Sequence, residues 1–226
     1  LSNFTEYLNY VQSSPSKHQE FIELIDNVTT NKTDFFREPQ HFSFLREQAI
    51  PQLQQLNGNR NTTIHIWSAA CSSGEEPYTL AICLAEFLMS NNFQIMASDV
   101  SETVLRHAVA GIYEENRVTP IPMPLLRKYF LRGDKRYKIK PEIAKLVSFK
   151  KINLNHDFHR HMKNLDVIFC RNVMIYFNKA TQQELINKFW QVLRPNGYLF
   201  LGHSETLQGT NTPFTYIAPS VYLKNN

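Results

Sequence analysis

Two adjacent carboxylates, Glu75 and Glu76, follow a lone glycine, Gly74, in the stretch Ile64 to Tyr78, IHIWSAACSSGEEPY. Acids at the start of a helix repel phosphate and suit a cationic or hydroxyl-bearing ligand. The alternative reading of the pair is an acid-capped helix with no ligand. Asp99 stands 25 residues after Gly74, near the place where a Rossmann-type site holds the acid for ribose hydroxyls. Its alternative is a capping aspartate. Asn153 with Leu154, Asn172 with Val173, and Gly202 with His203 occupy comparable positions further on. The two asparagines can offer amide donors and acceptors to a base or a carboxylate, or can simply make turns.

These residues share a placement. Ile64 to Trp67 alternates as a strand does, small residues make a tight turn, and Pro77 sits in the first turn of an apolar helix, where its missing amide costs nothing. Phe93 to Ser98 reads as a second strand ending on Asp99, followed by a helix that Ser101 caps and Gly111 stops. Strand character returns at Val147 to Leu154, Leu165 to Cys170 and Tyr198 to Leu201, with one or two closing strands between Phe214 and Leu223. A helix over Lys179 to Leu193 carries Leu185, Ile186, Phe189, Trp190 and Leu193 on one face. Strands alternating with helices predict a mostly parallel α/β sheet covered on both faces, with ligands beyond the carboxyl ends of its strands. Every candidate above is at such an end.

Before the sheet, helices are expected over Phe4 to Val11, Lys17 to Val28 and Gln40 to Leu56. Ile112 to Lys145 breaks the rhythm with Pro120, Pro122, Pro124 and Pro141, a short helix near Leu125 to Leu131 and the basic run DKRYKIK. It reads as an inserted antiparallel hairpin subdomain, about residues 112–146, within a catalytic domain over 57–226. Residues 1–56 form a helical N-terminal region, expected to be truncated because the chain opens on Leu1.

With 226 residues, 42% apolar and 19% charged, the chain has enough material for one α/β core and an appendage. A net charge of +4 suits an acidic partner and falls short of a nucleic-acid footprint. No apolar run approaches the roughly 20 residues of a membrane span. Three cysteines without CxxC spacing point to a reducing, cytoplasmic setting. His156, His159 and His161 lack thiolate or carboxylate companions at zinc-site spacing, so no metal is expected.

CRNVMIYF (Cys170 to Phe177), LRPNGYLFLGHSE, WSAACSSGEEPYTLA and NKTDFFRE, in order and over essentially the whole chain, resemble the CheR-type chemotaxis receptor methyltransferases. The resemblance implies a class I, Rossmann-like methyltransferase fold using S-adenosylmethionine. It also implies esterification of glutamate side chains on the cytoplasmic signalling helices of chemoreceptors. By position it places cofactor contacts at Asn31, Thr33, Arg37, Glu76, Asp99, Asn153, Leu154, Asn172 and Val173. Arg37 becomes the residue that holds the acidic substrate or the cofactor near the methyl. Tyr176 is the second candidate for the substrate mouth, with a core tyrosine as the alternative. A nucleic-acid amino-methyltransferase would carry an Asn/Asp-Pro-Pro-Tyr/Phe motif where this chain has Asn172-Val173-Met174-Ile175. A cofactor-binding regulator without transfer activity is the non-enzyme alternative. The hairpin turn Arg132 to Arg136 is short, with one glycine, and lysines on what would be an edge strand discourage backbone pairing. No dependence on a receptor tail tether is therefore expected.

Overall fold

The computed structural model describes residues 3–13, 20, 23, 24, 26, 32–56, 62–88 and 92–225. A seven-stranded sheet runs in the order β6-β2-β1-β7-β8-β10-β9. Its strands are β1 (Ile64–Ala69), β2 (Phe93–Asp99), β6 (Val147–Lys151), β7 (Leu165–Cys170), β8 (Leu193–Leu201), β9 (Thr215–Ala218) and β10 (Val221–Leu223). The pairs from β6 through β8 are parallel, and β10 runs antiparallel to both β8 and β9. This is the mostly parallel α/β sheet that the alternation of elements predicted.

Period-two side chains give the sheet two different cores. Val167 and Phe169 of β7 and Phe200 of β8 face one cluster with Phe35, Phe42 and Tyr78. Ile168 and Leu199 face the other with Trp67, Phe158 and Phe189. The register pairs Phe169 with Phe200, and their rings stack at 4.3 Å. A helix over Glu75–Phe87 places Tyr78, Leu80, Ala81 and Leu84 in the first cluster. A helix over Lys179–Val192 buries Leu185, Ile186 and Phe189 in the second.

The caps behave as their residue types demand. Ser101 accepts the amide of Val104 at the start of the Glu102–Ala110 helix, and Gly111 closes it in the left-handed region. The helix expected from Gln40 is one helical run with a widened middle: Pro39–Phe44, a π turn over Leu45–Ala49, then Ile50–Leu56. Pro51 has no amide for the regular ladder and its ring crowds the carbonyl four residues back, which accounts for the wide turn before it. The first helix extends over Phe4–Ser13. The helix expected over Lys17 to Val28 lies largely outside the described residues. Strand β8 starts at Leu193, earlier than the Tyr198 start that the sequence predicts. No helix among the described residues is long and apolar enough to cross a membrane.

The insertion holds a three-stranded antiparallel sheet in the order β3-β5-β4, from β3 (Ile112–Glu114), β4 (Phe130–Arg132) and β5 (Arg136–Ile139). One expectation is corrected here. The lysine-bearing strand β5 is central, because Ile112–Glu114 pairs along its free side. The edges are instead β3 and β4, each three residues long.

Candidate active site

The turn after β1 is built from small residues because the backbone needs them. Ala70, Ser72 and Gly74 all have positive φ, of 60°, 49° and 95°. A Cβ on Gly74 would also lie 2.9 Å from Ala108 Cβ, so glycine is required twice over. The end of β2 is pinned to this turn by Asp99. Its Oδ2 accepts the Ser72 amide at 2.9 Å and its Oδ1 the Ser101 amide at 3.0 Å. Burial pushes the Asp99 carboxyl above its ordinary range, and the backbone amides of Ser101, Ser72 and Val100 oppose that push. A carboxylate has about four acceptor positions. Asp99 therefore holds the turn, the helix cap itself being Ser101, and keeps acceptor capacity for a further donor.

Glu75 and Glu76, adjacent in sequence, face different neighbours. Glu76 accepts Ser68 Oγ at 2.6 Å and lies 3.3 Å from Arg171 Nη1. Burial raises its pKa while Arg171, Ser68 and the charge of Arg37 hold it down. Glu75 turns the other way, wholly buried, and pairs with Arg117 of the insertion.

Arg171 and Glu205 join the remaining motifs, and reasoning from residue types selected neither. Arg171 is buried, donating Nη2 to the Arg37 carbonyl at 2.5 Å and reaching Glu38 Oε2 through Nη2 at 3.0 Å and Nε at 3.2 Å. Glu38 stands in the left-handed region at φ 55°. Its other oxygen accepts the His203 amide at 3.2 Å. Burial disfavours the Glu38 anion, but Arg171 and the His203 amide outweigh it and its pKa is lowered. Glu205 accepts backbone amides from Asn172, Met174 and Gly202 at 2.8, 2.7 and 2.7 Å. That carboxylate holds Asn172 at φ 59° and presses it onto Gly202, where a Cβ would come within 2.4 Å of Asn172 Nδ2. Their positions inside CRNV and LGHSE were the available signal, since charged residues beside strand ends need partners.

The sites expected from sequence fall as follows. Thr33 lies beside the cleft turn, its carbonyl accepting Arg117 Nη2 at 3.3 Å. Arg37 is partly buried and its Nη1 donates to the Lys32 carbonyl at 3.1 Å. Asn31 lies outside the described residues. Asn153 follows β6 and folds its own turn, with Oδ1 accepting the Asn155 amide at 3.0 Å. Leu154 is buried in the second core cluster. Asn172 and Val173 are partly buried beyond β7, and Tyr176 is 58% exposed, which removes its core-tyrosine reading. Glu38, His41 and His203 bring ligand-capable atoms within 4.8 Å of one another. The Arg171 guanidinium already occupies the Glu38 oxygen that faces His41, and we assign these residues no metal.

The glycine turn, the carboxylates of Glu76 and Asp99 and the Arg171 guanidinium that Glu76 and Glu38 neutralise meet beyond these strand ends, an arrangement that suits a ligand bearing positive charge and hydroxyls more than a phosphate. Residues 31–223 match the family described as CheR methyltransferase, SAM binding domain. A chemotaxis protein methyltransferase of Borreliella burgdorferi is 46% identical over all of this chain and 81% of its own length. Chemotaxis protein methyltransferase 2 of Pseudomonas aeruginosa is 40% identical over 98% of this chain and 79% of its own. The chemotaxis protein methyltransferase of Escherichia coli is 37% identical over 98% and 77%. S-adenosylmethionine, a sulfonium with a ribose and an ammonium group, answers to the chemistry of the cleft, and the chain belongs to the CheR methyltransferase family, whose cofactor it is.

Proposed function

We propose that this chain methylates glutamate side chains on the cytoplasmic signalling helices of chemoreceptors, forming methyl esters. The carrying observation is the Arg171 hub, which draws Arg37 and Glu38 of NKTDFFRE against Glu76 beside the cofactor turn. An arginine held beside a carboxylate-lined cleft suits an acidic substrate, because its planar fork matches a carboxylate. When bound, S-adenosylmethionine supplies an electrophilic methyl group. A glutamate is already ionised near neutral pH, so the chain needs no strong base. Its residues have to align the carboxylate oxygen and strip water from it. In this reading Arg37 and Tyr176 line the substrate mouth. Asn31, Thr33, Arg37, Glu76, Asp99, Asn153, Leu154, Asn172 and Val173 hold the cofactor, with Leu154 acting from the core side. Residues 57–226 form the catalytic domain and residues 1–56 the helical approach to it.

The names of the curated relatives support chemotaxis as the setting. The test is transfer of labelled methyl from S-adenosylmethionine to chemoreceptor signalling domains in membranes from a chemotactic bacterium. A glutamyl ester releases labelled methanol on mild alkali, whereas an N-methyl product keeps its label. Base-stable label, or label on nucleic acid, would replace this reading.

A further inference from the structure

The insertion reaches back onto the cofactor turn through two residues that no family motif above contains. Tyr113 of β3 donates its hydroxyl to the Ser73 carbonyl at 2.8 Å. Arg117 closes the 3-10 turn Glu115–Arg117 that follows. Its Nη2 donates to Ser73 Oγ at 3.2 Å and to the Thr33 carbonyl at 3.3 Å, and it forms an ion pair with Glu75. Ser73 Oγ in turn donates to Glu75 Oε2 at 2.7 Å. One guanidinium therefore bridges the Ser72 to Glu76 turn and the segment around Thr33, which lie some 40 positions apart in sequence.

A fully buried carboxylate with one cation partner is a poor device for stability, since an apolar pair of similar volume usually does as well. Its return is fixed geometry. Three acceptors surround Arg117 Nη2, which carries two hydrogens, so at least one of these contacts is shared, and the rigid planar group fixes their separation in a way that the ammonium on a flexible four-carbon stem does not. We propose that Arg117 is a positioning residue for the cofactor, setting the distance between the Glu76 turn and the Thr33 segment. The proposal rests on the reading that both segments flank S-adenosylmethionine.

Calorimetric titration of S-adenosylhomocysteine, with steady-state methyl transfer, tests it in four proteins: the unaltered chain, Arg117→Lys, the double variant Glu75→Gln/Arg117→Gln, and Asp99→Ala. The double variant replaces both members of the pair, the buried Glu75 and the partly exposed Arg117, with amides, so no lone carboxylate is left to unfold the site. In folded protein it is expected to bind about tenfold more weakly, the scale of one charge-assisted contact, and to raise KM for S-adenosylmethionine in step. Its kcat at saturation should stay within about twofold, because uniform binding is what positioning of this kind supplies. Arg117→Lys should keep the melting temperature and still bind more weakly. Affinity within about twofold of the unaltered chain in either folded variant would overturn the proposal, as would a loss confined to kcat. Should the double variant fail to fold, Arg117→Lys alone decides by the same criterion. Unchanged affinity in Asp99→Ala as well would instead show that the cofactor lies elsewhere.

Discussion

At the scale of single residues, the cleft depends on charges that are buried and satisfied by named partners. Arg37 differs from Arg171 in this respect. Arg171 is consumed by Glu38, Glu76 and a carbonyl, whereas Arg37, among the described residues, donates Nη1 to the Lys32 carbonyl and has further guanidinium donors to offer a ligand. Arg37→Lys keeps the charge but loses the fork. We expect kcat to fall about tenfold or more while S-adenosylhomocysteine affinity changes by less than about threefold. An unchanged transfer rate with the cofactor bound would make Arg37 structural. His41 supplies a pH test. Burial, then the nearby Arg171, lowers its pKa from the ordinary 6.5 to about 4, with Glu38 opposing and His203 adding to the fall. The folded state thus takes up this proton later than the unfolded chain does. The contribution is fully present above pH 6.5 and is lost as pH falls toward 4, by about 3 kcal/mol at most. His41→Phe keeps a ring against Phe200 and removes the titration. Urea midpoints of the two proteins should diverge with pH across that window, and parallel profiles would sink the assignment.

At the scale of elements, the site is a property of strand ends brought level by parallel pairing. Ser68 pairs with Ala97 and Phe169, so the turns after β1, β2 and β7 open side by side. That much was legible, because strand periodicity, Ser101, Gly111 and Pro77 are local signals. The joins between elements were not. Glu205 lies 33 residues from Asn172 and Glu38 lies 133 from Arg171, and no periodicity couples positions so distant. The opposite facings of Glu75 and Glu76 were hidden too, since a helix sends neighbours about 100° apart and only the surrounding fold says what each meets. The same reasoning separates two glycines. Gly202→Ala puts a Cβ 2.4 Å from Asn172 Nδ2, and overpacking of this kind costs roughly 1–3 kcal/mol. Gly133→Ala, in the β4–β5 turn, meets only the Arg136 carbonyl at 3.5 Å. Cofactor affinity should therefore drop in Gly202→Ala and hold in Gly133→Ala, with equal affinities counting against the Asn172 loop as part of the site.

At the scale of the molecule, the question is how an enzyme with a modest net charge of +4 would find the acidic target proposed above. The charge is unevenly spread. From β4 through its turn and β5 to the residue after it lie Arg132, Lys135, Arg136, Lys138 and Lys140 against Asp134 alone. Of these, Arg136 pairs with Glu114, both well exposed, and such a surface pair holds little energy against a partner's field. A tail tether would need an extended segment to add itself to a sheet edge, where backbone pairing supplies affinity. The edges on offer, β3 and β4, are three residues each, and short edges are a common way of refusing an added strand. The lysines act differently from first expectation. Lys138 lies on the central strand and so blocks no edge pairing, while Lys135 and Lys140 flank that strand, a basic cluster that suits the acidic helices proposed as substrate. We expect methylation of a receptor signalling domain to proceed at the same rate with and without its C-terminal tail. Raising salt should weaken KM for that domain while leaving S-adenosylhomocysteine affinity nearly unchanged, since screening acts on exposed charges and much less on buried pairs. Rates with intact and tail-less receptor domains, across a salt series, decide it. Micromolar binding of a tail peptide mapping to Lys135–Val147, or a rate that collapses when the tail is removed, would establish the tether.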